Sequence, residues 1–387
     1  MTDFDLTPDQ LELRSAAAQT ARALYEGTAQ EWDRERATFP NPERRRLGDL
    51  GYLGIALPEL YGGSGAPVID ALVVIEEFAK VCRPAAFQIF ESNTGPAQVV
   101  AQLGTEAQKA EYLPAIIKGD ASMAVAISEP DAGSAATDMR TKAVLEGGHF
   151  RVNGAKRWIS NAGHAELYLL YARLSDEPGA RGIGALIVEK DAPGLSFGAP
   201  ERLMGFRGIP SCDIFFDDVQ VPRRNLLVEP GGFGQLFHAF SMERLGNSTV
   251  SLAIAQAALD GALEYVRTRK QFGKPLIEFQ AVQMTLADML VQVEAARLLV
   301  YRAARHAGGG LPDSLEVSIA KRAANEAGKV VSDMAIQLHG GNGFTEEYGI
   351  ERLHRDAHGW AIAGGTPTMQ RIRIVSELTG LRFDQRA

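Results

Sequence analysis

Apolar positions at close to helical spacing dominate the first third of the chain. Thr7-Pro8-Asp9-Gln10 reads as an N-cap followed by proline at the first helical position. Leu11, Leu13, Ala17, Ala21 and Leu24 then recur as one face of a helix. Gly62, Gly63 and Gly65 interrupt the pattern before a second apolar stretch over 69–78, and helical signals continue to about Ile117 and stop at Gly119. From about Ser122 to Val228 the period changes. Short apolar or alternating runs over 167–174, 183–188 and 212–216 predict strands. Gly147-Gly148 and Asn153-Gly154 predict tight hairpin turns, because positive φ is accessible there. From Gly231 onward alanine, leucine and arginine prevail, and Gly308-Gly309-Gly310 with Pro312 separates two long helical segments, about 280–306 and 313–338. Helices of that length need a partner layer, which a four-helix bundle supplies.

This order predicts an α+β fold: an N-terminal helical domain over 1–121, a middle antiparallel, barrel-like β domain over 122–228 and a C-terminal four-helix-bundle domain over 229–387. A length of 387 residues suits two or three domains. The net charge of −8 offers no general attraction for nucleic acid or an anionic membrane, so a phosphate-bearing ligand has to be gripped locally. Cys82 and Cys212 lie far apart with no CxxC, which argues against a disulfide framework or a zinc site and leaves no metal to expect. The first ten residues lack an apolar stretch, so no signal peptide is expected. No apolar run reaches the roughly 18 residues of a membrane span. A reducing, cytoplasmic setting is the simplest expectation.

Five segments carry candidate chemistry. Ala126-Ile127-Ser128-Glu129-Pro130-Asp131-Ala132-Gly133-Ser134 is a small-residue loop whose backbone donors can approach a planar ring or a pyrophosphate; its plainer reading is a strand-ending turn. In Arg157-Trp158-Ile159-Ser160, the tryptophan suits a flavin face and the serine a ring heteroatom, against the plainer reading of a core tryptophan. Arg267-Thr268-Arg269-Lys270-Gln271-Phe272-Gly273-Lys274 holds four basic residues in eight, either donors for a pyrophosphate or favourable charge at a helix C-terminus. The last two are Gln337-Leu338-His339-Gly340-Gly341-Asn342-Gly343-Phe344 and Ala363-Gly364-Gly365-Thr366-Pro367. Neither glycine group has the spacing of a dinucleotide fingerprint or a P-loop.

Together, in order and over nearly the whole chain, these segments resemble the acyl-CoA dehydrogenase family. The resemblance implies FAD as cofactor, an acyl-CoA thioester as substrate and a homotetramer built as a dimer of dimers, with electron-transferring flavoprotein as electron acceptor. It implies a flavin site using Ile127, Ser128, Gly133, Ser134, Trp158 and Ser160, with Thr366 at a flavin-phosphate position. Arg269 and Phe272, with Gln337 and Gly341, match contacts made to FAD from a neighbouring subunit. The implied reaction forms a 2,3-enoyl-CoA: a base takes the α-proton and the β-hydrogen leaves as hydride to flavin N5.

The chain departs from the commonest family pattern at the base. Most members carry a catalytic glutamate in a Tyr-Glu-Gly-Thr segment, and here Gly364 stands in its place. A minority, including isovaleryl-CoA-dehydrogenase-type enzymes, place the base on an earlier helix, and Glu243 in Ser241-Met242-Glu243-Arg244-Leu245 matches that position. The plainer reading is a solvated glutamate paired with Arg244 or Lys270; the small apolar residues of 250–258 argue for burial instead. A second resemblance, carried by 128–136, Arg207-Gly208-Ile209-Pro210 and 362–366, is to the branch containing 3-sulfinopropionyl-CoA desulfinase, a redox-neutral lyase that lacks the base and holds the sulfinate with an arginine. Phe87 falls at that arginine's position, although Arg83 is near; Phe87, Gln88, Phe90 and Glu91 fall where the family lines its acyl pocket.

Overall fold

A computed structural model describes residues 6–381 and Phe383. Seven helices come first: α1 Pro8–Tyr25, α2 Thr28–Glu35, α3 Asn41–Asp49, α4 Val68–Val81, α5 Arg83–Asn93, α6 Pro96–Leu103 and α7 Glu106–Ile117. The caps follow the sequence. Thr7 Oγ1 accepts from Gln10 N while Gln10 Oε1 accepts from Thr7 N, a capping box repeated at Thr105 and Gln108 of α7. α4 is buried on nearly every side, with Leu72, Val73, Val74 and Ile75 fully buried beside the buried Glu76 and Glu77, and forms the centre of the N-terminal layer.

Eight strands follow: β1 Met123–Ala126, β2 Lys142–Glu146, β3 His149–Ser160, β4 Leu167–Arg173, β5 Ile183–Glu189, β6 Leu195–Phe197, β7 Ser211–Pro222 and β8 Leu226–Val228. They form one sheet in the order β6-β7-β3-β2-β4-β5-β8, with β1 also beside β4. The sheet is mostly antiparallel, as expected, but β1 and β2 both run parallel to β4. The long loop 127–141 leaves the sheet where β1 ends beside Leu170 and re-enters it beside Arg173, so β2 continues along β4 in the direction β1 was running.

The two glycine turn signals resolve differently. Gly147-Gly148, with φ of 56° and 95°, closes the β2–β3 hairpin at the Glu146–His149 pair. Asn153-Gly154 makes no hairpin; it lies inside β3 at a register shift against β7. Gly154 has φ 143°, and a Cβ there would stand 2.6 Å from Thr141 Oγ1. Its conformational freedom serves a bulge and a close approach of Thr141.

The chain then returns to helix: α8 Phe233–Thr268, α9 Gln280–Ala307, α10 Ser314–His339, α11 Ile350–Ile362 and α12 Pro367–Thr379. The two-residue strands β9 Lys270–Gln271 and β10 Lys274–Pro275 form a small hairpin after α8. α8, α9, α10 and α11 make the bundle, α12 packs on α10, and α4 and α5 reach α8 from the N-terminal layer. Small residues let the layers close: a Cβ on Gly246 of α8 would lie 2.2 Å from Thr94 Oγ1 and 2.6 Å from the Phe90 ring of α5. No described helix is long and apolar enough to cross a membrane.

Gly154→Ala adds a methyl group at a φ that L-residues rarely adopt and drives it into Thr141. We expect it to lower unfolding free energy by about 2–3 kcal/mol, read as a drop in urea midpoint without a change of slope.

Candidate functional site

Glu243 lies three turns into α8, the helix through which the N-terminal, sheet and bundle layers meet. Its Oε2 is buried without a hydrogen-bond partner among the described residues. Burial pushes its carboxyl up to about 8, with Arg244 and Lys321 pulling in the opposite direction. The plainer expectation, a solvated glutamate paired with Arg244 or Lys270, does not hold. Arg244 is stacked over Phe237 and Phe240, at 4.6 and 5.2 Å from their ring centres, and donates to the carbonyls of Phe237 and Gly364 at 3.3 and 3.4 Å. Lys270 is exposed on β9, at the far end of α8.

Lys321 is a functional candidate that the sequence reading missed. It is fully buried, and its Nζ donates to Asn247 Oδ1 at 2.9 Å, Asn325 Oδ1 at 2.8 Å and Ala363 O at 2.9 Å. Three neutral oxygens thus hold one ammonium, and burial lowers its pKa to about 7. The available signal is helical register: Val317, Ala320, Ala324 and Val331 form the buried face of α10, and Lys321 falls on it. Lys321 lies behind the glycine turn. A Cβ on Gly364 would meet Lys321 Nζ at 4.0 Å, ordinary contact, but Gly364 has φ 67° and Gly365 φ 95°.

The loop after β1 is fixed from below. Glu129, buried, accepts from the amides of Arg140 and Thr141 at 2.6 and 2.9 Å and from Lys156 Nζ at 2.8 Å. Lys156, also buried, donates to Ile127 O at 3.0 Å as well. Burial alone would push the Glu129 carboxyl up, but Lys156 and these hydrogen bonds hold it below its ordinary range. With Glu129 and Lys156 tied down, Ile127 and Ser128 are half-buried, and Gly133 and Ser134 are exposed, Gly133 with open space where a side chain would point.

Trp158 is not a core residue. It is 52% exposed, has φ 64° and lies at the second register shift of β3 against β7, between Lys156 and Ile159. A bulky residue in that conformation marks local strain of the kind found at binding sites. Arg157 N donates to Ser128 O at 2.8 Å and so ties the Trp158 bulge to the Ser128 loop; Ser160, half-buried, ends the same strand. Ile127, Ser128, Gly133, Ser134, Trp158 and Ser160 therefore belong to one connected β1–β3 edge. Thr366 stands apart as the N-cap of α12, its hydroxyl accepting from Met369 N at 3.3 Å.

Arg269, Phe272, Gln337 and Gly341 lie on the bundle, all exposed. The basic segment runs past the helix: α8 stops at Thr268, Arg269 is its C-cap and Phe272-Gly273, with φ of 52° and 82°, forms the tip of the β9–β10 hairpin. Phe272 projects there at 93% exposure. None of these four shares a hydrogen bond with the Ser128 loop among the described residues.

Arg83 is not available to an acyl group. Its Nε is ion-paired with Asp356, both buried, and the guanidinium also donates to Ala79 O. Phe87 packs into an aromatic cluster with Phe90 and Trp360 at ring distances of 5.7 and 6.2 Å.

Three family models match the chain in succession: acyl-CoA dehydrogenase N-terminal domain over 7–120, middle domain over 124–219 and C-terminal domain over 231–379. A 3-sulfinopropanoyl-CoA desulfinase of Variovorax paradoxus is 38% identical over 99% of this chain and 97% of its own. The structure of butyryl-CoA dehydrogenase from Megasphaera elsdenii superposes with a TM-score of 0.93 at 35% identity, covering 97% of this chain and 100% of that one. A glutaryl-CoA dehydrogenase of Mycobacterium smegmatis in complex with FADH2 superposes with a TM-score of 0.93 at 25% identity, over 100% and 98% of the two chains. Helical, sheet and helical layers in this order, with matches along the length of each, make the chain a member of the acyl-CoA dehydrogenase family.

Proposed function

We propose that the protein is an FAD-dependent acyl-CoA dehydrogenase that converts an acyl-CoA thioester to its 2,3-enoyl-CoA, with Glu243 as the base. The observation that carries this reading is the Glu243 carboxylate itself, on a half-buried side chain of the central helix with its Oε2 buried and unpartnered. A native protein leaves such a group for a reason. An α-proton of a thioester is weakly acidic, and a carboxylate whose pKa is raised to about 8 by burial is a stronger base than one in water. Arg244, turned onto Phe237 and Phe240, leaves the carboxylate unquenched.

The residues present fit FAD. The open backbone at Gly133, the exposed Trp158 tied to Ser128 and the helix N-terminus capped by Thr366 suit a planar ring system and phosphate oxygens. Ile127, Ser128, Gly133, Ser134, Trp158, Ser160 and Thr366 would hold it. Bound FAD supplies a hydride acceptor. Glu243 removes and holds the α-proton, and Lys321, pinning the Ala363 carbonyl, keeps the Gly364 turn from filling the space beside it. We assign the three parts of the site to domains at 1–121, 122–228 and 229–387.

A redox-neutral desulfinase, the activity named for the Variovorax relative, is the second reading. Arg83 locked to Asp356 and the apolar Phe87 leave no cation on α5 for a sulfinate, which favours dehydrogenation.

A homotetramer, arranged as a dimer of dimers, completes the proposal. Met284, Val291 and Leu298 are exposed at seven-residue spacing along α9, a stripe suited to a second copy. Arg269, Phe272, Gln337 and Gly341 would then reach a neighbour's FAD. Electron-transferring flavoprotein is the proposed acceptor, and two buried free thiols suit a cytoplasmic enzyme.

The purified holoenzyme is expected to hold about one FAD per chain. Glu243→Gln keeps FAD and thioester binding but slows anaerobic flavin reduction by about 10²–10⁴-fold; reduction at the wild-type rate would remove Glu243 as the base. In the wild type the reduction rate rises with pH through about 8, where Glu243 ionises, and the mutant lacks that limb.

Stability runs the other way. Because the folded pKa of Glu243 is raised, its ionisation weakens the fold as pH climbs from the ordinary carboxylate range to about 8. Glu243→Gln should match the wild-type melting temperature near pH 4.5 and exceed it at pH 8.

Arg269→Ala is expected to lower FAD retention and tetramer content together, measured by flavin absorbance and light scattering; a stable monomer that retains FAD would refute the shared site.

A further inference from the structure

Glu243 is bracketed along α8 by two further buried polar groups that the dehydrogenation step does not use. Ala239, Glu243 and Gly246 follow one another on a single face of the helix, at i, i+4 and i+7. At Ala239 the face packs in the core that contains Tyr171 of β4. At Gly246 it meets α5 through Phe90 and Thr94, and Glu91 sits between those two in sequence. Tyr171 is fully buried, and its hydroxyl has no partner among the described residues. Glu91 is 7% exposed, and its carboxyl forms no hydrogen bond or ion pair among the described residues. Both interact electrostatically with Glu243, one from the sheet and one from the helical layer.

We propose that Tyr171 and Glu91 form a hydrogen-bonding wall of the acyl pocket, and that the preferred acyl group carries a neutral hydroxyl or carbonyl beyond its β-carbon. This rests on Glu243 marking the α-carbon. Two unpaired buried polar groups are costly against a plain alkyl chain and are relieved by a chain that brings one polar atom. Behind Glu91, on the side of Arg44, Ser122 and Met123 and away from Glu243, lies a cavity of about 10 Å³, room for roughly one water, so the Glu91 side of the wall is not packed solid.

An anionic tail is disfavoured. It would face Glu91 and Glu243 together, while Arg83 is committed to Asp356, and Arg44 to Glu166, Ser122 and the Gly119 carbonyl. Arg244 is turned to the Phe237 and Gly364 carbonyls. Burial, and then the neighbouring Glu243, hold the Glu91 carboxyl well above its ordinary range, favouring the neutral form that can donate. A protonated carboxyl and a phenol both donate and accept, the pattern that selects an alcohol or a carbonyl.

The test separates this wall from the base. In the Glu243→Gln holoenzyme, whose flavin reduction is slow enough to separate from binding, dissociation constants are measured from the initial flavin absorbance change. Butyryl-CoA and pentanoyl-CoA are compared with 4-hydroxybutyryl-CoA and 5-hydroxypentanoyl-CoA, and with succinyl-CoA and glutaryl-CoA. We expect the better hydroxyacyl thioester to bind about 10-fold or more tighter than its alkyl parent, and the dicarboxylic thioesters to bind no better than the alkyl ones. Adding Tyr171→Phe or Glu91→Leu should bring the preference within about twofold, by tightening alkyl binding and weakening hydroxyacyl binding, with FAD content intact, whereas Glu91→Gln retains the preference. Equal affinity for hydroxyacyl and alkyl thioesters, tight binding of a dicarboxylic thioester, or a preference indifferent to both substitutions overturns the proposal. Failure of the base is read separately, as flavin reduction by these thioesters in Glu243→Gln at the wild-type rate.

Discussion

The burial of one carboxylate oxygen without a partner constrains the rest of the molecule. Glu243 is raised in pKa because its carboxylate is drawn partly out of water, and that desolvation needs three layers at once: the sheet at Tyr171, the N-terminal helices at Phe90 and Thr94, and the bundle at Lys321. A salt bridge would stabilise the carboxylate and lower its basicity together. The neighbouring cations are therefore spent elsewhere. Arg244 lies on two aromatic rings, and Lys321 is shared among three neutral oxygens. Both act on Glu243 through space without neutralising it.

The same separation of charge from site recurs under the β1 loop. Glu129 and Lys156 satisfy each other and the surrounding amides below the surface, and what remains above is backbone, glycine and an exposed indole. Rigid ionic contacts lie beneath, and sparsely substituted backbone faces outward. Such an arrangement lets a loop keep its shape without side chains that would obstruct a planar ligand.

Much of this was legible in the chain because it depends on local rules. Thr7 and Thr105 announce helix starts through their own capping bonds, and the Gly308–Gly310 break with Pro312 locates the α9–α10 connection within a residue or two. Family motifs pointed to Glu243 and to the Ser128 and Trp158 segments. What escaped depends on tertiary contact. Gly154 looks like a turn glycine, yet Thr141 packing against it decides for a bulge. Parallel pairing of β1 and β2 with β4 depends on where a loop re-enters the sheet. Arg83 reads as an available cation until Asp356, distant in sequence, is found against it. Lys321 and Tyr171 are ordinary residues in sequence, and only their burial without a counter-ion or a partner sets them apart.

α8 has a mechanical consequence. It is a single helix of 36 residues, about 54 Å long, with Glu243 near one end and the Phe272 hairpin attached to the other. Glu243 and Arg269 are about 39 Å apart along one rod, at 1.5 Å per residue. Each residue inserted between them would turn the hairpin by about 100° and advance it by about 1.5 Å. Spacing along this segment is therefore under a stricter constraint than residue identity. Side chains on its outer face can drift, but a change of length by one would aim Phe272 at a different part of its surroundings while leaving the carboxylate where it is.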